Sequence, residues 1–425
     1  MAQEHQLTQL DSGIRVVTEK ITSVRSVALG FWVRVGSRDE SPAQAGISHF
    51  LEHMLFKGTP ELSAAQIAET FDGFGAELNA ATSKETTVVY AHFLDEHLER
   101  AFEVMSDMLL RCTYADLESE REVVLEEIAM YEDEPQDKVH DVLSTAVFGD
   151  HPLGRPVIGR GEVVGALTVD DVSSYHHTRY VPGSVVVAAA GNLEHDRIVE
   201  LAQRCLAIDG GDAAGSLNGG VPGVSARRSF YAKDTEQYHI CLGGMGIKRD
   251  DDRRYALALL DAILGGSSSS RLFQEVREKR GLAYSVYSWA SQYLDSGQIG
   301  IYVGTREDTV AEAVATIATE LERIREPVPA QELDRAREQV KGRMALSMES
   351  TRARMTRLGS NVLLGLPLLS LDETFERVDA VTVDDVVALA TVFYDSTKMS
   401  AAAVGRDEDR FRSALEPISA SLAAV

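Results

Sequence analysis

His49, Glu52 and His53 are the residues of this sequence whose types and spacing could do chemistry, in the run Ser48-His-Phe-Leu-Glu-His-Met-Leu-Phe-Lys-Gly58. On a helix, residues four apart stand one above the other, so both imidazoles can turn toward one metal ion. Glu52, three residues past His49 and next to His53, overhangs the same spot without having to ligate. Two neutral imidazoles suit zinc, and hydrolytic zinc takes three protein ligands and keeps one position open for water. A third ligand must therefore come from elsewhere. Phe50, Leu51, Met54, Leu55 and Phe56 make the segment apolar nearly all round, which predicts a buried helix and not a solvated face. Two His and a Glu inside such a helix need partners. Two His and a carboxylate also describe a non-haem iron site, but oxygen chemistry has no use for a base at Glu52.

The elements that would position these residues follow from the local patterns. The β-branched stretches Gly13 to Lys20 and Val24 to Val35 predict two strands ahead of the motif helix. Ser63 to Phe74 reads as a helix with Ser63 as its N-cap. From Gly75 to Phe93 the pattern gives two strands joined near Ser83-Lys84, and Leu94 to Leu110 an amphipathic helix. Tyr114 to Tyr131 predicts a long Glu-rich helix with Val123, Val124 and Ile128 on an apolar stripe. Glu120 and Glu127 are two turns apart and share a face. The residues alone leave the third ligand open among Glu120, Glu122, Glu126 and Glu127.

A length of 425 residues exceeds one ordinary core, so two domains are expected. The net charge of −24 argues against a nucleic-acid partner, since little would neutralise phosphates, and favours cationic ligands instead. Cys112, Cys205 and Cys241 are far apart and form no C-x-x-C pair, which predicts neither a disulfide framework nor a cysteine metal site. The first residues lack the basic and apolar regions of a signal peptide, and no run is long enough to span a bilayer. A cytoplasmic protein with no membrane partner is the expectation.

Leu206 to Ser229, rich in Gly, has the composition of a flexible linker. Beyond it the chain echoes itself: Leu167-Thr-Val-Asp-Asp-Val172 recurs as Val381-Thr-Val-Asp-Asp-Val386, an offset of 214 residues, 381 minus 167. At that offset Tyr180 meets Tyr394, Gly191 meets Gly405 and Gly30 meets Gly244. A repeat this long implies two duplicated domains. The expected fold class is α+β, each domain a mainly antiparallel sheet with helices on one side. The boundaries read as 1–208 for a catalytic domain, 209–228 for the linker and 229–425 for its homologue. The second copy lacks the chemistry, because His49 meets Ile263 and His53 meets Ser267.

These stretches resemble the M16 metallopeptidases, the inverted-zincin family, and are most similar to short bacterial processing-peptidase-like members. The resemblance rests on His49 to Thr59, Gly75-Ala-Glu-Leu-Asn-Ala80, Glu120-Arg-Glu-Val-Val-Leu-Glu-Glu127 and Ser270 to Tyr284, and it covers essentially the whole chain. It implies a zinc endopeptidase with one Zn2+ per chain held by His49, His53 and Glu127. Glu52 would be the general base, and Glu120 the carboxylate that orients a zinc-binding His. The resemblance further implies that Arg277 and Tyr284 serve the zinc site from the second domain, Tyr284 as an oxyanion donor. Arg280 and Tyr287 have the same spacing. Asn79 and Ala80 would lie on an edge strand that pairs with the substrate backbone, so that extended, unfolded peptides or presequence-like segments are cleaved. Asp137 and Asp141 would receive a substrate Arg. The short run Leu264 to Ser270 does not match the long Gly-rich loop of non-catalytic partner subunits, so a homodimer enclosing a chamber is implied. The competing reading is a catalytically silent structural or assembly subunit, which the intact ligand set disfavours.

Overall fold

The structure, a computed structural model, describes residues 5–207 and 218–424; positions 209–217 of the expected linker lie outside the described residues. The first half of the chain supplies β1 (His5–Gln9), β2 (Arg15–Lys20), β3 (Ser26–Val33), β4 (Glu77–Thr82), β5 (Thr87–Leu94) and β6 (Val185–Gly191). Among the described residues these form one sheet in the order β1-β2-β6-β3-β5-β4. Every pair in it is antiparallel except β2 with β6. The second half supplies β7 (Arg228–Ala232), β8 (Gln237–Gly246), β9 (Ala283–Gln292), β10 (Gly297–Arg306) and β11 (Ser400–Gly405), ordered β7-β11-β8-β10-β9. Again a single pair, β7 with β11, is parallel. Strand for strand this is the first sheet without β1, so the two domains share one α+β fold.

The repeat has a concrete structural meaning. Thr168 and Thr382 are both helix N-caps, accepting from the backbone N–H of Asp171 and Asp385 at 3.2 Å each, while each Asp side chain accepts in return from its Thr N–H. Such reciprocal capping satisfies two orphan donors at once, which is why this short string survives in both copies. Tyr180 and Tyr394 end the helices so started, and Gly191 and Gly405 end the strands that follow.

The helices that concern the metal-binding motif are α1 (Ile47–Met54), α2 (Ala64–Gly73), α3 (Leu98–Arg111), α4 (Leu117–Asp133) and α5 (Pro135–Phe148). Ser63 caps α2 as its sequence suggests, accepting from the Gln66 N–H. The Glu-rich helix starts at Leu117, later than its pattern predicts, because Tyr114 takes a left-handed conformation at φ 53°. One face of the first sheet, with Val27, Leu29, Phe31 and Val33 from β3, packs against α1, α3 and α4 in a single core.

The other face is covered as well, contrary to the one-sided arrangement expected from the sequence. β3 is buried along nearly all its length, the mark of a strand packed on both faces. Ala28 and Trp32 point away from the main core and meet Met355, Leu358, Val362 and Leu363 of the helix Thr351–Leu363. Gly359 lets that helix seat, since a Cβ there would lie 2.1 Å from Trp32 Nε1. Arg354 and Arg357 both pair with the buried Glu19 of β2, and Arg15 donates to the Val362 carbonyl at 2.7 Å.

Compact units therefore do not follow the chain. The first comprises Met1–Ile128, Pro156–Asn218 and Ala345–Ser370; the second comprises Ala129–Arg155, Gly219–Met344 and Leu371–Val425. α5, from the first half of the sequence, packs in the second unit, where Val139, Leu143 and Val147 meet Cys241, Tyr302, Ala402 and Val404. Among the described residues no helix is long and apolar enough to cross a membrane.

This exchange predicts the behaviour of a fragment. Residues 1–218 alone leave the Trp32 face of the first sheet uncovered, and each side chain of Thr351–Leu363 that no longer packs there forfeits about 1.5–3 kcal/mol of burial. The fragment is expected to aggregate or to bind a hydrophobic dye. A monomeric fragment with native near-ultraviolet circular dichroism would contradict the packing described.

Candidate metal centre

α1 is short, and its entry is built for one orientation. Gly46 precedes it at φ 103°, a conformation that favours glycine, and a Cβ there would meet Val164 at 2.8 Å and Gly159 at 2.9 Å. The buried Glu40 side chain accepts from the backbone N–H of Gly46 and of Ser48, both at 2.9 Å. This satisfies two of the orphan donors of the helix start with a charge that also suits the helix dipole. Ser48 Oγ meets Tyr175 OH at 2.9 Å. Ile47, Phe50, Leu51 and Met54 are buried, which leaves His49 and His53 on the one side that opens, with side chains 14% and 22% exposed.

α4 brings the carboxylates. Its core stripe is Leu117, Val124 and Ile128, and the face beside it carries Glu120 and Glu127. Glu122 and Glu126 are exposed, so helix phase narrows the four candidates to Glu120 and Glu127. Glu127 Oε1 lies 3.7 Å from His49 Nε2, and Glu127 Oε2 lies 3.3 Å from His53 Nε2. Ligand atoms of His49, His53 and Glu127 all lie within 4.8 Å of one another. Tetrahedral zinc with bonds of about 2.0–2.1 Å sets its ligands roughly 3.3 Å apart, so the three donors fit such an ion with little adjustment.

The surroundings prepare each group. His53 Nδ1 is 2.8 Å from Glu120 Oε1, which assigns the proton to Nδ1 and turns the Nε2 lone pair outward. The other Glu120 oxygen is taken by Lys57 Nζ at 2.5 Å. Burial, with the neighbouring His53, lowers the His49 pKa to about 4, so at neutral pH its imidazole is unprotonated as a metal ligand requires. Glu52 is the reverse case: burial raises its carboxyl above the usual carboxylate range, Thr82 and His53 pulling the other way. Glu52 Oε2 is buried and meets no hydrogen-bond partner among the described residues. A buried carboxylate oxygen left unsatisfied at a ligand cluster is where a base facing a water would stand.

Asn79 and Ala80 lie on β4, at the end of the sheet. Asn79 is exposed, with Oδ1 accepting from the Ala80 N–H at 2.8 Å, whereas Ala80 is buried. Among the described residues β4 pairs with β5 alone and no strand covers its outer edge, where the Ala80 N–H is held by Asn79 Oδ1 and the Thr82 backbone bonds to Glu52. A groove of about 600 Å³ runs beside it, lined by Phe56, Ile67, Phe71, Leu78, Asn79 and Tyr90 among others.

The remaining candidate residues belong to the second unit. Arg277 sits in the π-helical turn Phe273–Glu278 and lies over the Tyr284 ring at 4.5 Å from its centroid. Tyr284 is the second residue of β9 and is 78% exposed, so it is no core aromatic. The rival pair is engaged within its own unit: Arg280 pairs with Glu275, and Tyr287 meets His140 Nε2 at 3.0 Å and stacks on Tyr302. On α5, Asp137 is exposed, and its backbone carbonyl accepts from Tyr131 OH at 3.2 Å. Burial pushes the Tyr131 phenol well above its ordinary range, and the half-buried Asp141 carboxylate adds to the shift.

Residues 15–161 match the family described as Insulinase (Peptidase family M16), and residues 166–340 match its partner description, Peptidase M16 inactive domain. The chain belongs to peptidase family M16. An uncharacterized zinc protease of Bacillus subtilis is 44% identical over 382 residues, covering 89% of this chain and 93% of the relative. Another of Streptomyces coelicolor is 43% identical over 393 residues, covering 90% and 86%. Among solved structures, a protease from Helicobacter pylori superposes with a TM-score of 0.88 at 22% identity over 95% of this chain and 99% of its own. A peptidase M16 inactive domain from Pseudomonas fluorescens gives 0.87 at 25% identity over 95% and 98%. The split into an M16 domain and an inactive one agrees with where the ligand cluster lies: among the described residues His49, His53 and Glu127 fall within 15–161, and the helix Arg254–Leu264 that follows β8 carries no His.

Sequence reasoning missed Glu40 and Lys57. Lys57 stands one helical turn past His53 inside the motif, so its proximity was open to inference; Glu40 carried no signal, because an acid several residues before a helix is ordinary loop composition.

Proposed function

We propose that this M16 protein is a zinc-dependent endopeptidase that cleaves extended, unfolded peptides or presequence-like segments. The observation that carries the reading is the convergence of His49, His53 and Glu127 with the buried, unsatisfied Glu52 oxygen beside them. Zinc held by those three residues would supply Lewis-acid polarisation of a water and of the scissile carbonyl. Glu52 takes the proton of the attacking water and later hands it to the leaving amine. Glu120 keeps His53 in the ligating tautomer. The outer edge of β4, which no strand covers, pairs with the peptide main chain, which gives affinity without demanding a particular side chain. In this scheme Tyr284, stacked by Arg277, donates to the oxyanion of the tetrahedral intermediate.

On this reading two such chains form a homodimer that encloses the reaction, as the resemblance to the family implies for a chain of two homologous domains. The three free cysteines suit a reducing, cytoplasmic setting. A catalytically silent structural subunit is the weaker reading, because such a subunit has no need of a complete ligand set with its base.

The decisive variant is Glu52→Gln, which leaves the ligands untouched but cannot accept a proton. It is expected to fold, to hold zinc by elemental analysis and to lose at least about a hundredfold in turnover of an unstructured peptide, the usual scale for a general base. His49→Ala is expected to lose the zinc itself. Wild-type turnover by Glu52→Gln would remove the proposed base.

Asp137 and Asp141, one turn apart on α5, would hold a substrate guanidinium near the cut by charge-assisted hydrogen bonds. Peptides with Arg there are then preferred over Lys, which cannot fork. Changing both to Asn is expected to raise KM about tenfold or more for Arg peptides while sparing neutral ones, at roughly 1.5–3 kcal/mol per shielded bond. Equal losses in both peptide classes, or none, would assign the pair to the surface.

A further inference from the structure

Glu120 is nearly buried, its side chain 6% exposed, and both of its oxygens are held: Oε1 by His53 Nδ1 at 2.8 Å and Oε2 by Lys57 Nζ at 2.5 Å. A carboxylate in such a place needs a counter-charge and a fixed plane, for its cost of desolvation is recovered only through good geometry. His53 alone fixes one oxygen and leaves the group free to swing about it. Lys57 supplies the second point of attachment.

The lysine is itself anchored. Its backbone N–H donates to the Met54 carbonyl at 3.1 Å, continuing the turn that ends α1, and Gly58 follows at φ 113° to break away from the helix. Side chains four apart at a helix end lie on one face, so the same turn that presents His53 also presents Lys57. Helix end, lysine, glutamate and imidazole thus make a chain of contacts that finishes at His53 Nε2, 3.3 Å from Glu127.

We propose that Lys57 is a positioning residue for the metal centre, acting through Glu120 on the orientation of His53. The inference rests on the zinc reading given above and adds a residue to it that touches neither metal nor reacting atoms. Partners that orient a ligating imidazole commonly govern metal affinity by about ten- to a hundredfold, and Lys57 is expected to share in that effect because Glu120 cannot hold its plane without it.

The test measures zinc affinity by competition with a chromophoric chelator, independently of any activity. Lys57→Met, which keeps the stem and removes the charge, is expected to weaken zinc binding about tenfold or more. Lys57→Arg is expected to stay within about threefold of wild type. In a Glu120→Gln background the same Lys57→Met change is expected to cost less than about twofold, since the contact it acts through is already gone. Near-ultraviolet circular dichroism of the metal-free proteins checks the fold, and Lys57→Gln replaces Lys57→Met should the latter not fold. Unchanged affinity in Lys57→Met, or an equal loss in both backgrounds, overturns the inference. So does a raised KM with unchanged zinc affinity, which would assign Lys57 to the groove beside β4. Absence of zinc binding by the wild type overturns the metal reading and this inference together, which separates the two failures.

Discussion

Three ligand atoms from two helices far apart in sequence have to meet within a few ångströms, and the first unit is arranged to meet that demand. α1 is too short to hold a position by its own hydrogen bonds; helices of this length are marginal without packing. Its place is imposed from outside. Glu40 grips its first turn, Ile47, Phe50, Leu51 and Met54 sink into the core under the sheet, and Lys57, just past its end, reaches Glu120 on α4. α4 is registered in turn by Leu117, Val124 and Ile128 in the same core. Rotation of either helix by one residue would carry a ligand out of reach, so the imidazole-to-carboxylate distances depend on the apolar packing beneath them.

The same packing explains how far the sequence could be read. The spacing of His49, Glu52 and His53 implied a shared helix face, and the Ser63 cap and the turn at Ser83-Lys84 were legible because their signals are local. Choosing Glu127 over Glu122 and Glu126 needed the phase of α4 against the core, which only the resemblance to M16 enzymes supplied in advance. The helix Thr351–Leu363 covering the Trp32 face and the placement of α5 in the second unit were not legible at all. Both are contacts between segments hundreds of residues apart, and an apolar helix face does not say which sheet it will meet. Short β1 escaped for a related reason, since an edge strand with exposed Gln6, Leu7 and Gln9 shows little alternation.

Duplication gives the chain two copies of one scaffold with unequal tasks. What both copies kept is the framework: the Thr–Asp capping pair, the closing tyrosine, the glycine at the strand end and the strand order with its single parallel pair. What the second copy lacks is the ligand set: its helix Arg254–Leu264 carries no His, and among the described residues the His49, His53 and Glu127 cluster lies in the first. The second copy presents an exposed Tyr284 with Arg277 over its ring. A large aromatic left in water, backed by a guanidinium, is the kind of feature that packing alone does not select.

X-ray absorption at the zinc edge of the purified, zinc-loaded protein tests the central claim most directly, because it reports the donor set without relying on turnover. Ligation by His49, His53 and Glu127 with one water gives about four nitrogen or oxygen neighbours near 2.0–2.1 Å and the outer-sphere pattern of two imidazoles. A sulfur neighbour near about 2.3 Å, or a shell without imidazole, would contradict it.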